Sequence, residues 1–162
     1  MMGLGYPGGV VIDRLAAKGD PARYAFPRAR IAADSPDFSF SGLKTALRTF
    51  LASPEGKTAR TGDVAASFQE AIVDVLVSKG IAASQREGIP RLVLSGGVSA
   101  NSRLRAQATE RGAAAGVEVC LPSRAFCTDN AAMVALLGER RMSGGTFSGP
   151  ELNAYAASRF SR

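Results

Sequence analysis

The chain has 162 residues, 46% of them hydrophobic and 21% charged, with a net charge of +6 at pH 7. That is the composition of one globular domain with enough length to bury a core. It contains no histidine and two cysteines, Cys120 and Cys127, which excludes imidazole relays, a four-ligand zinc site of the usual kind and a disulfide framework. No apolar run approaches the ~18 residues of a membrane span, and the opening residues carry Gly and Pro where a signal peptide would need basic and apolar stretches. The expectation is a cytoplasmic protein with reduced thiols and no membrane partner.

In chain order, Gly8-Gly9 leads into a short amphipathic helix over Val10 to Ala17, closed near Gly19-Asp20-Pro21. Asp13 lies just past its first turn and would complement the helix dipole. Residues 22–36 read as an irregular loop, and Phe38-Ser39-Phe40 as a short strand or turn. Ser41 is placed to cap a helix through Leu43, Leu47 and Leu51. Residues 53–62 read as a polar linker. Asp63 would cap the next helix, whose apolar face is Val64, Phe68, Ile72, Val75, Leu76 and Ile81, ending near Gly88-Ile89-Pro90. A strand over 91–95, a helix from about Ala100 to Arg111 and a strand over 117–121 follow. Thr128 or Asp129 would cap a last helix at about 129–141, and the remaining Gly- and Ser-rich tail is loose unless Leu152, Tyr155 and Phe160 dock. The order predicts an α/β layer with at least two parallel strands. Two strands are few for a domain of this length, so part of the sheet would come from elsewhere.

Eight arginines fall from residue 103 onward: Arg103, Arg105, Arg111, Arg124, Arg140, Arg141, Arg159 and Arg162. They favour a polyanionic partner such as RNA, with solubility as the competing explanation.

The segment Leu92-Val93-Leu94-Ser95-Gly96-Gly97-Val98-Ser99-Ala100-Asn101 carries the strongest chemical signal. An apolar strand stops at two glycines and restarts as a helix whose N-terminal N–H groups suit a phosphate. A plain strand-to-helix turn is the alternative. The dinucleotide fingerprint is absent, since there is no G-x-G-x-x-G and no acidic residue ~20 positions on. Gly42-Leu43-Lys44-Thr45 is not a P-loop, because Leu43 separates the glycine from the lysine. Asp129 reads either as a helix cap or as a carboxylate ligand to a metal.

Gly5-Tyr6-Pro7-Gly8-Gly9, Ile12-Asp13, and Asp37 to Thr45 (Asp-Phe-Ser-Phe-Ser-Gly-Leu-Lys-Thr) recur in one family. So do Ala65-Ala66-Ser67-Phe68-Gln69-Glu70, Ser95 to Asn101, and Cys127-Thr128-Asp129-Asn130-Ala131-Ala132-Met133. From residue 3 to about 137, and in the same order, the chain resembles the tRNA threonylcarbamoyladenosine transferases, formerly called O-sialoglycoprotein endopeptidases.

The resemblance implies the C-terminal lobe of an actin-like, sugar-kinase-like ATPase fold, with ribonuclease-H-like lobes around a nucleotide cleft. It implies transfer of threonylcarbamoyl from threonylcarbamoyl-adenylate to the exocyclic amine of an adenosine beside the tRNA anticodon, together with other threonylcarbamoylation proteins. By the same resemblance, Gly9 and Asp13 would hold the sugar or base side of the adenylate. Gly96, Gly97 and Asn101 would line the nucleotide, and Asp129 would bind one divalent metal, iron or zinc. The family's His-x-x-x-His metal pair has no counterpart here. Val10 stands where the family often has Pro, and the tail lacks the family's Arg- and Trp-containing run. The expectation is therefore a C-terminal half, inactive alone, with residues 1–142 forming most of one cleft lobe and 143–162 a loose tail. A non-catalytic nucleotide- or partner-binding module of the same fold is the rival expectation. The Phe-Ser-Phe-Ser-Gly-Leu-Lys-Thr segment argues against a sugar kinase.

Overall fold

A computed structural model describes residues 2–28, 35 and 37–153. Its contacts divide the chain into two units, Met1–Thr128 and Asp129–Arg162. In the first unit, helix α1 (Gly8–Ala16) is followed by α2 (Ser41–Ala52), α3 (Pro54–Thr58) and the long α4 (Thr61–Arg86). Strand β1 (Arg91–Val93), a 3-10 turn at Gly97–Ala100, α5 (Ser102–Ala114), β2 (Glu118–Cys120) and a second 3-10 turn at Arg124–Phe126 complete it. The second unit holds α6 (Ala131–Ser143).

The two strands pair in parallel, with Arg91 opposite Glu118, Leu92 opposite Val119 and Val93 opposite Cys120. This is the predicted α/β arrangement, a small parallel sheet with helices. Backbone bonds from Glu118 N to Pro90 O and from Leu94 N to Cys120 O extend the ladder at both ends. Both strands are shorter than the apolar runs that announced them, because after Leu94 the chain turns away at Ser95-Gly96.

Three apolar clusters hold the first unit together. Ala16 meets Ala65 and Ala66 where α1 crosses α4. The approach is close: a methyl on Gly19 would lie 2.0 Å from the Gly62 carbonyl oxygen, so Gly19 excludes a side chain. Phe26, Leu43, Leu47, Val64, Phe68 and Ala71 form the second cluster. Phe26 belongs to the stretch read as an irregular loop, yet it is 5% exposed and sits edge-on to Phe50 and Phe68. Val73, Val77, Ile81, Leu104, Ala108 and Val117 form the third, joining α4, α5 and the approach to β2.

Several local expectations need correction. Ser41 is the first residue of α2 rather than its cap, and Phe40 precedes the helix with no side-chain cap bond. The polar linker contains α3, which Ser53 caps by accepting from Gly56 N with Pro54 in the first position, an arrangement that suits proline. Helix α4 begins at Thr61, so Asp63 lies inside its first turn and accepts from Asp20 N instead. Phe38-Ser39-Phe40 forms no strand; its two rings stack with centroids 6.3 Å apart. Asn130, not Thr128 or Asp129, caps α6 by accepting from Met133 N. Cys120 is half-buried and Cys127 buried, and both are free thiols, as expected. Leu152 is exposed, and Tyr155 and Phe160 lie outside the described residues. Among the described residues, no helix is long and apolar enough to cross a membrane.

Candidate nucleotide site

The site grows from the turn between β1 and α5. Gly96 adopts φ 85°, a left-handed conformation that favours glycine. Its carbonyl then accepts from Ser99 N at 3.0 Å and from Ser99 Oγ at 2.7 Å, which winds residues 97–100 into the 3-10 turn. Ser99 is 2% exposed. Arg105 reaches back to donate to Ser99 O and to Pro122 O, tying the turn to the end of β2. Gly96 and Gly97 face open space, with nothing within 4 Å of a methyl built on either.

The 3-10 turn delays α5, and Asn101 becomes its cap. Asn101 Oδ1 accepts from Leu104 N at 2.9 Å, as a capping asparagine does. The same side chain donates from Nδ2 to Gln69 Oε1 at 2.8 Å. The next residue is held from α1: Ser102 N donates to both Asp13 oxygens, at 3.1 and 3.2 Å, and Ser102 Oγ donates to Asp13 Oδ1 at 2.7 Å.

This alters two expectations. Asp13 complements the N-terminus of α5, not of its own helix. The positive end of α5, on which the turn placed a phosphate, is already filled by the chain's own carboxylate and cap. Open backbone for an anion lies instead at Gly96-Gly97, one turn upstream.

Gly9 and Asn101 line one small cavity of about 220 Å³, with Gln69, Val98 and Leu104 among its walls. The structure thus gathers Gly9, Asp13 and Asn101 around the head of α5, with Gly96-Gly97 adjoining in the chain. Asp129 belongs to the second unit, where it precedes the Asn130 cap of α6. A larger groove of about 780 Å³, lined by Phe38, Phe40, Leu92 and Leu94, shares Val98 and Leu104 with the small cavity. Its walls are chiefly apolar, unsuited to a phosphate.

Charge around the site is mostly paired. Arg103 grips Glu70 through two bonds of 2.7 and 3.0 Å, and the Glu70 hydrogen bond, opposed by partial burial, holds the Arg103 guanidinium above its ordinary value. Arg111 bonds Asp74 and Ser78. Three of the arginines read as a polyanion surface are thus internal fasteners, while Arg124, Arg140 and Arg141 are exposed; Arg159 and Arg162 lie outside the described residues.

The residues present do not fit a resident metal. The sequence has no histidine, and no three His, Cys, Asp or Glu side chains cluster among the described residues. Sequence reasoning did not single out Gln69 or Ser102. Gln69 gave two signals, its place in the recurring Ala65 to Glu70 segment and its polarity beside the apolar face of α4. Ser102 gave none, because its partner is 89 residues away.

The sequence model of the family described as tRNA N6-adenosine threonylcarbamoyltransferase matches residues 1–136. A protein of that name from Thermotoga neapolitana is 48% identical over 154 residues, covering 95% of this chain and 46% of the relative. One from Anaeromyxobacter dehalogenans strain 2CP-1 is 52% identical over 158 residues, covering 95% and 47%. One from Thiobacillus denitrificans is 50% identical over 143 residues, covering 88% and 41%. The chain spans about half the length of the curated relatives it matches. It belongs to the tRNA N6-adenosine threonylcarbamoyltransferase family.

Proposed function

We propose that this chain forms one wall of the adenylate pocket in a tRNA N6-adenosine threonylcarbamoyltransferase, as part of an actin-like lobe working in the cytoplasm. The observation that carries the reading is the convergence of Gly9, Asp13 and Asn101 on the head of α5, beside the open Gly96-Gly97 backbone. Gly9 brings bare backbone to the cavity. Asp13, held by Ser102, keeps lone pairs for a ligand hydroxyl. Asn101 keeps a second Nδ2 hydrogen for a ligand acceptor.

In the reaction so assigned, the exocyclic amine of a tRNA adenosine attacks the carbamoyl carbonyl of threonylcarbamoyl-adenylate. The carbon–nitrogen bond forms, the bond from that carbon to the phosphate oxygen breaks, AMP leaves with the bonding pair, and the proton lost by the amine passes to solvent. This chain's share is to bind and orient the adenylate; preorganised donors near the reacting phosphate favour the charge that develops there. No step is assigned to a metal, because the residues present do not make a site for one; Asp129 is at most one ligand of a set completed from elsewhere. A second reading is a non-catalytic nucleotide- or partner-binding module of the same fold, since a shared fold does not by itself give activity.

The test is transfer of radiolabelled threonine to tRNA in the presence of ATP, bicarbonate and a threonylcarbamoyl-adenylate-forming enzyme. The chain is assayed alone and with a polypeptide carrying the remaining half of the Thermotoga neapolitana relative. Label should enter tRNA only in the second mixture. Turnover by the chain alone would refute the partial-pocket reading, and binding of AMP without turnover in either mixture would favour the module.

A further inference from the structure

Resting on the adenylate reading, we infer that Gln69 is a positioning residue that sets which way the Asn101 amide faces its ligand. The segment Ala65 to Glu70 lies in the N-terminal part of α4, and its apolar residues serve the core. Its three polar residues are not needed for that. Gln69 is 7% exposed and Ser67 1%, so each must find a partner.

Each of the three fastens a different segment to α4. Ser67 Oγ donates to Asp20 O and accepts from Tyr24 N, both at 3.1 Å. Glu70 holds Arg103 through two bonds. Gln69 holds Asn101. The last two grip residues on either side of Ser102, the residue that receives Asp13.

The hydrogen-bond inventory of Asn101 then decides its orientation. An asparagine amide has one oxygen and two N–H donors. The Leu104 N–H requires the oxygen at the cap, so Nδ2 must face Gln69, whose Oε1 takes one hydrogen. The second hydrogen is left for the cavity that Asn101 shares with Gly9. Without the Gln69 acceptor the cap still forms, but the amide is held at its oxygen alone, and the donor is less well preorganised. The ligand atom that Asn101 meets must be an acceptor, such as a phosphate, hydroxyl or ring-nitrogen lone pair.

The test uses the whole 162-residue chain with AMP as the probe, titrated calorimetrically. Gln69→Met keeps length but removes the acceptor; Gln69→Glu keeps an acceptor; Asn101→Ser keeps a cap but removes the amide. Gln69→Met should weaken AMP about tenfold, the equivalent of one lost hydrogen bond. Gln69→Glu should stay within about twofold of the parent. The double variant Gln69→Met with Asn101→Ser should bind no more weakly than Asn101→Ser alone. A merely structural role would instead make affinity follow thermal stability across the parent and its four variants. The parent also gives a readout independent of any variant's folding: one Asn101 side-chain amide proton should exchange slowly, and the other should respond to AMP. AMP binding that depends on Asn101 but not on Gln69, additive losses, or equal exchange of the two protons would overturn the inference while leaving the adenylate reading intact. A parent that does not bind AMP, or an Asn101→Ser variant that binds it unchanged, would overturn the adenylate reading and the inference together.

Discussion

Replacing Asp13 by alanine removes the hydrogen bonds that run from α1 to the first residue of α5. Two donors lose their acceptor, the Ser102 N–H shared between the two carboxylate oxygens and the Ser102 hydroxyl. A hydrogen bond to a charged group contributes about 1.5–3 kcal/mol, and a carboxylate at a helix N-terminus adds about 0.3–1 kcal/mol. Asp13 is half-buried, so water can replace part of what is lost. The expected net loss is about 2–3 kcal/mol. For a protein of this size that lowers Tm by about 5–10 °C. Ser102→Ala should lose about 1 kcal/mol, since the backbone donor remains. The two losses should not add: the double variant should lie close to Asp13→Ala, with a coupling of about 1 kcal/mol. Urea denaturation of the four proteins, followed by circular dichroism, measures the cycle. Asp13→Ala within about 0.5 kcal/mol of the parent, or strictly additive losses, would refute the view that Asp13 stabilises α5 from outside it.

Gly112→Ala should destabilise by about 1–3 kcal/mol by overpacking, because its methyl would lie 2.5 Å from Val119 Cγ2 and 2.9 Å from the Val117 carbonyl oxygen. Gly97→Ala, which faces open space, should change stability by less than about 0.5 kcal/mol; equal effects at the two positions in thermal melts would contradict the packing described. Burial raises the Asp74 carboxyl, but the hydrogen bond and charge of Arg111, with those of Arg28, outweigh it and hold the group below its ordinary 3.8. Its contribution is therefore complete above pH 3.8 and is lost as pH falls through the lower folded value. Asp74→Asn should flatten that part of the acid limb in urea midpoints taken across the range, and an unchanged acid limb would disprove the assignment. Zinc or ferrous iron should leave Tm unchanged, and a saturable rise would show a metal site where the described residues hold no ligand cluster.

The parts legible in the sequence are those that local patterns control. Two apolar runs ending at Gly or Pro gave the parallel strands, and the spacing of Val64, Phe68 and Ile72 gave α4. Helix starts were harder where several cap-forming residues compete. Ser99, Asn101 and Ser102 can all begin a helix; the buried Ser99 hydroxyl bonds back to Gly96, leaving Asn101 as the cap. Ser53-Pro54 is a readable helix start, but the five residues of α3 are too few for an apolar periodicity to mark the helix. The site was legible as a set of residues but not as a geometry. Asp13 and Ser102, or Gln69 and Asn101, meet only after α1, α4 and α5 have packed, and no periodicity links residues 89 or 32 apart.

Helix α4 supplies residues to all three apolar clusters: Ala65 and Ala66 to one, Val64, Phe68 and Ala71 to another, Val73, Val77 and Ile81 to the third. None of the clusters can therefore dissolve while the others keep their full complement of neighbours. In amide hydrogen exchange, the central turns of α4 should open only with the first unit as a whole, and its slowest protons will report that unit's global stability. The two-stranded sheet, too small to persist alone, inherits its lifetime from that one helix.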